Sequence, residues 1–451
     1  MNTTHPEVTS EAPQAVSFWQ ALRFWFKLGF ISFGGPAGQI AIMHEELVVR
    51  RRWLSEKRFL HALNYCMVLP GPEAQQLATY IGWLMHKTRG GIAAGALFVL
   101  PSLFMMIGLS WLYIAFGHVT WVAGMFYGIK PAVTAIVVQA AHRIGSRALK
   151  NNFLIAIAAA SFVAIFALNV PFPIIVVVAA LVGLIGGRMS PASFSASGGH
   201  ASTQASFGPA LIDDHTPTPS HAMFTWKRFL KVLLAGAVLW TLPMAFLMMQ
   251  HGWDHTLTQM SWFFTKAALL TFGGAYAVLP YVYQGAVEQF GWVTATQMID
   301  GLALGETTPG PLIMVVAYVG FIGGHVKAVL GPDNLFLAGA LAATLVTWFT
   351  FLPSFIFILA GGPFVESTHN DLKFTAPLTA ITAAVVGVIL NLALFFGYHT
   401  LWQQGFAGSL DIASALIALV AAIALFKYKR NVMHVIAVCG LLGMTIHALQ
   451  I

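Results

Sequence analysis

Along this chain apolar positions neither alternate with polar ones nor keep to one face of a short helix; they come in long runs. Ile92 to Phe116, Phe153 to Asn169 and Ile412 to Phe426 are almost free of charge. Runs of about 20 apolar residues match the length that an α-helix needs to cross a bilayer. Strand-like alternation is missing, which favours a helical bundle over a barrel. The pattern predicts an all-α polytopic membrane protein.

The runs also repeat. Placing Phe33-Gly34-Gly35 on Phe272-Gly273-Gly274 fixes an offset of 239, which also pairs Lys27 with Lys266, Trp53 with Trp292, and Pro70-Gly71-Pro72 with Pro309-Gly310-Pro311. After an insertion near Pro332 the offset becomes 252; it pairs Pro101-Ser102 with Pro353-Ser354 and sets Gln139 opposite Asn391. Each copy reads as six hydrophobic segments, in the first copy 18–46, 57–86, 90–116, 121–148, 152–168 and 172–187. Residues 1–17 are a short polar cytoplasmic tail without the basic start of a signal peptide, and 18–188 form the first membrane repeat. Residues 189–226, rich in small and polar types, read as a disordered cytoplasmic linker. A connecting transmembrane helix over 227–251 and a second membrane repeat over 252–451 follow. These make 13 hydrophobic segments. A lone helix between equal units turns the second copy over, so two inverted homologous halves are expected.

Composition agrees: 58% of the residues are hydrophobic and 9% charged, against about 25% charged in soluble domains. The net charge of +7 does not point to nucleic acid, because the Lys and Arg sit in short loops beside apolar runs, where they set orientation. If every segment crossed, Arg50-Arg51-Arg52 and the pair Lys87 and Arg89 would fall on opposite sides. The conflict disappears if the first two segments of each copy are re-entrant helical hairpins, broken at the Gly-Gly and Pro-Gly-Pro motifs. The N-terminus is then cytoplasmic. Cys66 and Cys439 make neither a disulfide framework nor a thiolate metal site. No Walker loop is present, which argues against direct use of ATP. No cofactor is expected, and His251 and His255 around Asp254 lack a clear third metal ligand.

The breaks carry the candidate chemistry. Gly34-Gly35-Pro36 and Pro70-Gly71-Pro72 stop a helix, and an arm of about 14 residues rises about 21 Å, past the middle of a hydrocarbon core about 30 Å thick. Broken backbone at that depth must line a wet cavity or be covered by protein. The helices that restart there offer free N–H groups and the positive end of a dipole, which suits an anion. Gly34, Gly35, Gly71, Gly273, Gly274 and Gly310 are therefore expected at a substrate site. Ser32, Gln39, Gln75, Gln76, Thr271, Thr307 and Thr308 stand nearby as neutral donors. Lys27 and Lys266, about two turns before the glycines, are expected to face a cavity or a partner. Glu73 and Glu306 flank the two Pro-Gly-Pro turns; a proton relay and a helix-capping role both remain open for them. Lys130 adds positive potential or reaches to an interface.

Phe33-Gly34-Gly35-Pro36-Ala37-Gly38-Gln39-Ile40, Leu69-Pro70-Gly71-Pro72-Glu73-Ala74-Gln75-Gln76-Leu77-Ala78 with Tyr80-Ile81-Gly82, Leu270-Thr271-Phe272-Gly273-Gly274-Ala275-Tyr276 and Gly305-Glu306-Thr307-Thr308-Pro309-Gly310-Pro311 together resemble the chromate ion transporter family in its long two-domain form. The resemblance implies chromate efflux across the cell inner membrane, driven by the proton motive force and giving chromate resistance, with sulfate as the natural look-alike. A sulfate or other oxyanion carrier on the same scaffold and a passive channel are the alternatives within transport. A membrane-embedded enzyme acting on lipid phosphates is disfavoured, because it would gather its acids and histidines on one polar face.

Overall fold

A computed structural model describes residues 13–33, 35–190, 194, 207–367, 375–402 and 405–449; Gly34 lies outside the described residues. The described chain is helical throughout, with a single isolated bridge between Leu54 and Ile212. The first half contains α1 (Phe18–Ile31), α2 (Gly35–His44), α3 (Glu56–Val68), α4 (Glu73–Phe116), α5 (Thr120–Ala148), α6 (Asn152–Leu168) and α7 (Phe172–Met189). After α8 (Trp226–His251) the second half follows as α9 (Thr256–Leu269), α10 (Ala275–Tyr283), α11 (Ala295–Thr307), α12 (Val315–Val326), α13 (Leu335–Ser367), α14 (Thr375–Leu401), α15 (Ile412–Phe426) and α16 (Val432–Leu449).

The duplication is visible at the level of single turns. A π-helical turn, Glu45–Arg50, follows α2, and its counterpart Gln284–Gln289 follows α10 at the same offset of 239. Trp53 then donates its N–H to the Leu47 carbonyl at 2.7 Å, as Trp292 does to Ala286 at 2.8 Å. Ser55 caps α3 through the Arg58 N–H, and Thr294 caps α11 through the Gln297 N–H. A hydroxyl at the cap satisfies one of the donors that a helix start leaves open.

α4 is not one straight rod. Non-helical backbone at His86 and at Lys87, where φ is +60°, divides it into arms 73–85 and 88–116. The second arm runs back along the first. A Cβ on Gly82 would lie 2.5 Å from the Gly90 carbonyl, and one on Gly95 would lie 2.2 Å from Thr79 Oγ1. The absence of side chains at these glycines lets the two backbones touch.

α3 and the first arm of α4 likewise fold against each other about the Pro70-Gly71-Pro72 break. Tyr65 and Tyr80 bring their rings to 5.8 Å, and both Arg58 and Tyr80 reach Glu366 at the end of α13. Phe24 of α1 meets Trp53, ring to ring at 5.1 Å, so α1 and α2 also fold back. Among the described residues, seven helices are long and apolar enough to cross a membrane: α4, α5, α7, α8, α13, α14 and α16; α6 and α15 are apolar but shorter. Their outward sides are apolar too, with Leu234, Leu242 and Phe246 of α8 exposed, as suits a surface solvated by lipid tails.

Within the stretch 189–226, expected to be a disordered linker, residues 207–222 make defined contacts. Residues 207–222 lie against the bases of α3 and α4: Ser55 Oγ donates to Asp214 at 2.5 Å, Arg58 Nη2 donates to the Thr216 carbonyl at 2.9 Å, and His221 Nε2 lies 3.0 Å from the Trp83 carbonyl. Polar groups of the helix bases hold a stretch that has little apolar surface of its own.

Candidate functional site

Four breaks in the helices come together where the halves meet: Ser32 and Phe33 after α1, 69–72 between α3 and α4, 270–274 between α9 and α10, and 308–311 after α11. They are joined by a reciprocal pair of bonds. The Gly71 N–H donates to the Thr271 carbonyl at 2.7 Å, and the Gly310 N–H donates to the Ser32 carbonyl at 2.8 Å. Both donors and both acceptors correspond at the offset of 239, so the same contact is made twice across a two-fold relation.

Sequence explains why glycine stands at both donors. Gly71 has φ +127° and Gly310 φ +107°, angles that side chains with a Cβ avoid. Space is closed as well: a Cβ at Gly71 would lie 2.5 Å from Ser354 Oγ, and one at Gly310 would lie 2.7 Å from Ser102 Cβ. These two N–H groups, expected as oxyanion donors, are thus used to join the halves. Ser32 and Thr271 direct their hydroxyls to the carbonyls of Leu28 and Ala267, at 2.6 and 2.7 Å. Gln39 Nε2 donates to the Gly310 carbonyl at 2.5 Å, Gln76 Nε2 to the Pro70 carbonyl at 2.8 Å, and Gln75 Nε2 to Thr79 Oγ1 at 3.0 Å. Thr307 and Thr308 each direct a hydroxyl to the Leu304 carbonyl at 2.9 Å. Most of the predicted neutral donors therefore shape the crossing of the breaks. The Oε1 atoms of Gln75 and Gln76 are buried without a hydrogen-bond partner among the described residues.

The other glycines differ. Gly35 and Gly274, at φ +67° and +96°, face open space, with nothing within 4 Å of a built Cβ, and the nearest atom to one at Gly273 is Thr382 Oγ1 at 3.8 Å. Gly35 lines a small cavity together with Ile136, Gln139, Ala140 and Arg143 of α5, Tyr276 of α10, Glu306 of α11 and Val432 of α16. Residues of both halves thus face one space. Tyr276 donates its hydroxyl to the Glu306 carboxylate, both groups being buried. Gln139 Nε2 donates to the Leu425 carbonyl at 3.1 Å. Arg143, half-buried, brings a fixed cation.

Arg143 was hidden in the sequence because it lies in the cationic stretch that ends α5, where charges serve orientation. Tyr276 carried no signal of its own; only folding sets it against Glu306. Lys27 is exposed on the surface of α1, away from the cavity, and Lys266 is half-buried with its Nζ 5.8 Å from the Trp262 ring centre. Glu73 stands half-buried in the first turn of α4.

A membrane protein of several apolar helices, made of two copies of one unit with its polar groups at their junction, is the class defined by this architecture. The chain belongs to the chromate transporter family, which matches residues 19–184 and 258–444, one match in each half. It is similar to a chromate transport protein of Pseudomonas aeruginosa, 32% identical over 443 residues, covering 97% of this chain and 94% of that one. A chromate transport protein of Cupriavidus metallidurans is 27% identical over 455 residues, covering 100% of this chain and 99% of its own. A probable chromate transport protein of Synechococcus elongatus is 26% identical over 417 residues, or 92% of each chain. No solved structure matches the chain at a significant level.

Proposed function

We propose that this protein exports chromate across the cell inner membrane by a secondary-transport mechanism coupled to the proton motive force, and so confers chromate resistance. The observation that carries this reading is the cavity where Arg143, Gln139 and Gly35 meet Tyr276 and Glu306. A tetrahedral dianion needs a fixed cation, neutral donors and shelter from lipid. The start of α2 at Gly35 adds the positive end of a helix dipole.

On this reading α1–α2, α3 with the first arm of α4, α9–α10 and α11–α12 are re-entrant hairpins. The second arm of α4, α5 to α8 and α13 to α16 cross the membrane. An odd number of crossings turns the second half over, with the N-terminus in the cytoplasm. Cationic clusters at 50–52, 57–58, 87–89, 143–150, 227–231 and 427–430 then fall on one face, as the positive-inside rule requires. The cavity is lined by residues at the end of α5 and the start of α16, the end of the molecule where those cations raise the local concentration of anions.

Voltage supports outward movement: a dianion leaving a negative-inside cell gains about 2.3 kcal/mol per charge per 100 mV. Glu306 supplies the link to protons. Its carboxylate and the oxyanion both seek the positive potential of Arg143, so the protonation of Glu306 and the binding of chromate are linked. Glu73 lies beside the neighbouring break and offers a second, weaker station. Sulfate transport is the second reading, since a site made of Arg143, Gln139 and Gly35 would meet the shape and charge that the two dianions share.

Inside-out vesicles with pH gradient and voltage set separately test both. Chromate uptake faster than sulfate uptake, and responsive to the pH gradient as well as to the voltage, is expected. Glu306→Gln should keep the voltage-driven part and lose the response to pH. Uptake that is indifferent to the gradient in the parent protein would sink proton coupling, and sulfate taken up faster than chromate would favour the second reading.

A further inference from the structure

Two polar clusters share no residue with the lining of the cavity, and each ties one half to the other. In the first, Glu366 at the end of α13 accepts a bond from Arg58 Nη1 of α3 at 2.9 Å and another from the Tyr80 hydroxyl of α4. The glutamate side chain is 1% exposed and the arginine 11%. In the second, Asp300 of α11 accepts from the Tyr113 hydroxyl of α4 at 2.9 Å, while its other oxygen lies 3.7 Å from Lys130 Nζ of α5. Tyr318 of α12 sets its ring 5.6 Å from that of Tyr113. The first cluster sits beside Asp213 and Thr216, at the end where Arg58 also binds those residues. Tyr113 lies 26 residues along α4 from Lys87, roughly 39 Å of helix rise.

The two clusters are made of the same parts. The hairpin of α3 and α4 meets the end of α13 in one; the hairpin of α11 and α12 meets the end of α4 in the other. At the offsets of the repeat, Glu366 corresponds to Ile114, the neighbour of Tyr113, and Tyr80 to Val319, the neighbour of Tyr318. Side chains differ, but the place of the contact is kept. A buried carboxylate is costly unless it is paired, so each cluster resists separation of the hairpin from the helix that it grips.

We propose that Glu366 with Arg58 and Tyr80, and Asp300 with Lys130 and Tyr113, are two opposed latches that hold closed the cytoplasmic and the outer access to the central site. They are positioning residues for transport, not ligands of the anion. The proposal rests on the secondary-transport reading above, and it states which contacts must part as the site turns from one face to the other. Loosening the first latch favours the state open to the cytoplasm; loosening the second favours the state open outside.

The test uses the full chain in membranes, with Cys66 and Cys439 replaced by alanine and one reporter cysteine added. Ala140→Cys reports cytoplasmic access at the cavity. Leu392→Cys, its counterpart at the offset of 252 and 2% exposed, reports outer access. Membrane-impermeant maleimide is applied to intact cells and to inside-out vesicles. Glu366→Gln and Tyr80→Phe should raise the labelling rate at 140 from the cytoplasmic side and lower it at 392; Asp300→Asn and Tyr113→Phe should do the reverse. Loss of one charge-assisted bond is expected to move the two-state ratio about tenfold. The phenylalanine variants keep the ring in place, so they serve if the carboxylate variants fail to fold. All four variants shifting both reporters in one direction, or shifting neither, overturns the latches. Equal labelling of both reporters from their own sides in the parent, with chromate passing freely, points instead to a channel and overturns the reading beneath.

Discussion

Gly71 and Gly310 on one side and Gly35 on the other show how one residue type serves two purposes. Each of the first two donates its N–H to the other half, and neither has room for a Cβ. Gly35 has room, and the space beside it is the cavity. Alanine at Gly71 or Gly310 is therefore expected to lower thermal stability, with strain of about 1–3 kcal/mol, and by similar amounts at the two sites. Gly35→Ala should leave the melting temperature nearer that of the parent and weaken chromate binding in calorimetry. If the purified Gly35→Ala protein binds chromate as the parent does, the anion does not sit at that tip. Arg143 makes the sharper contrast with Lys27. Arg143→Ala is expected to raise the KM for chromate about 10- to 100-fold, the worth of one or two hydrogen bonds from a charged group, with Arg143→Lys between. Lys27→Ala, on an outward surface, should cost far less. Flux assays that rank the two the other way would return the lysines to the centre.

Among the elements, the breaks were legible because Gly and Pro interrupt a helix whatever surrounds it: α1 stops at Ile31, α3 at Val68 and α11 at Thr307, next to the motifs that announce a break. The turn at His86 and Lys87 was legible too, as a gap between apolar runs. The direction that the chain takes there was not, since it depends on Gly82 and Gly90 letting two backbones meet. If residues 44–58 and 86–89 share the cytoplasmic face, Lys87→Cys should be labelled in inside-out vesicles and not in intact cells. Labelling from outside would exclude the re-entrant reading of α3 and α4. The stretch 207–222 escaped a composition argument for the same kind of reason. Its anchors are Ser55, Arg58 and the Trp83 carbonyl, more than a hundred residues away in sequence. Ser55→Ala with Asp214→Ala should raise hydrogen exchange of the amides in 207–222 while leaving those of α3 protected, because only the strap loses its partners.

For the molecule as a whole, the sequence by itself determined the class, the duplication and the places where helices break. Hydrophobic run length, the spacing of Gly and Pro and an offset that carries motifs without a gap are local properties, and the bilayer leaves few ways to satisfy the backbone. The family is legible from the same motifs. Only the tertiary structure decided which half each tip binds, and that decision changed the chemistry. The Pro-Gly-Pro glycines turned out to join the halves instead of facing open space, Lys27 faces outward, and Arg143, counted at first with the orientation charges, lines the cavity with Tyr276 and Glu306. The physical reason is that every N–H at a broken helix must find an acceptor. Sequence spacing shows that the donor exists, but whether its acceptor is a carbonyl of the other half or a passing anion depends on contacts between residues some two hundred positions apart.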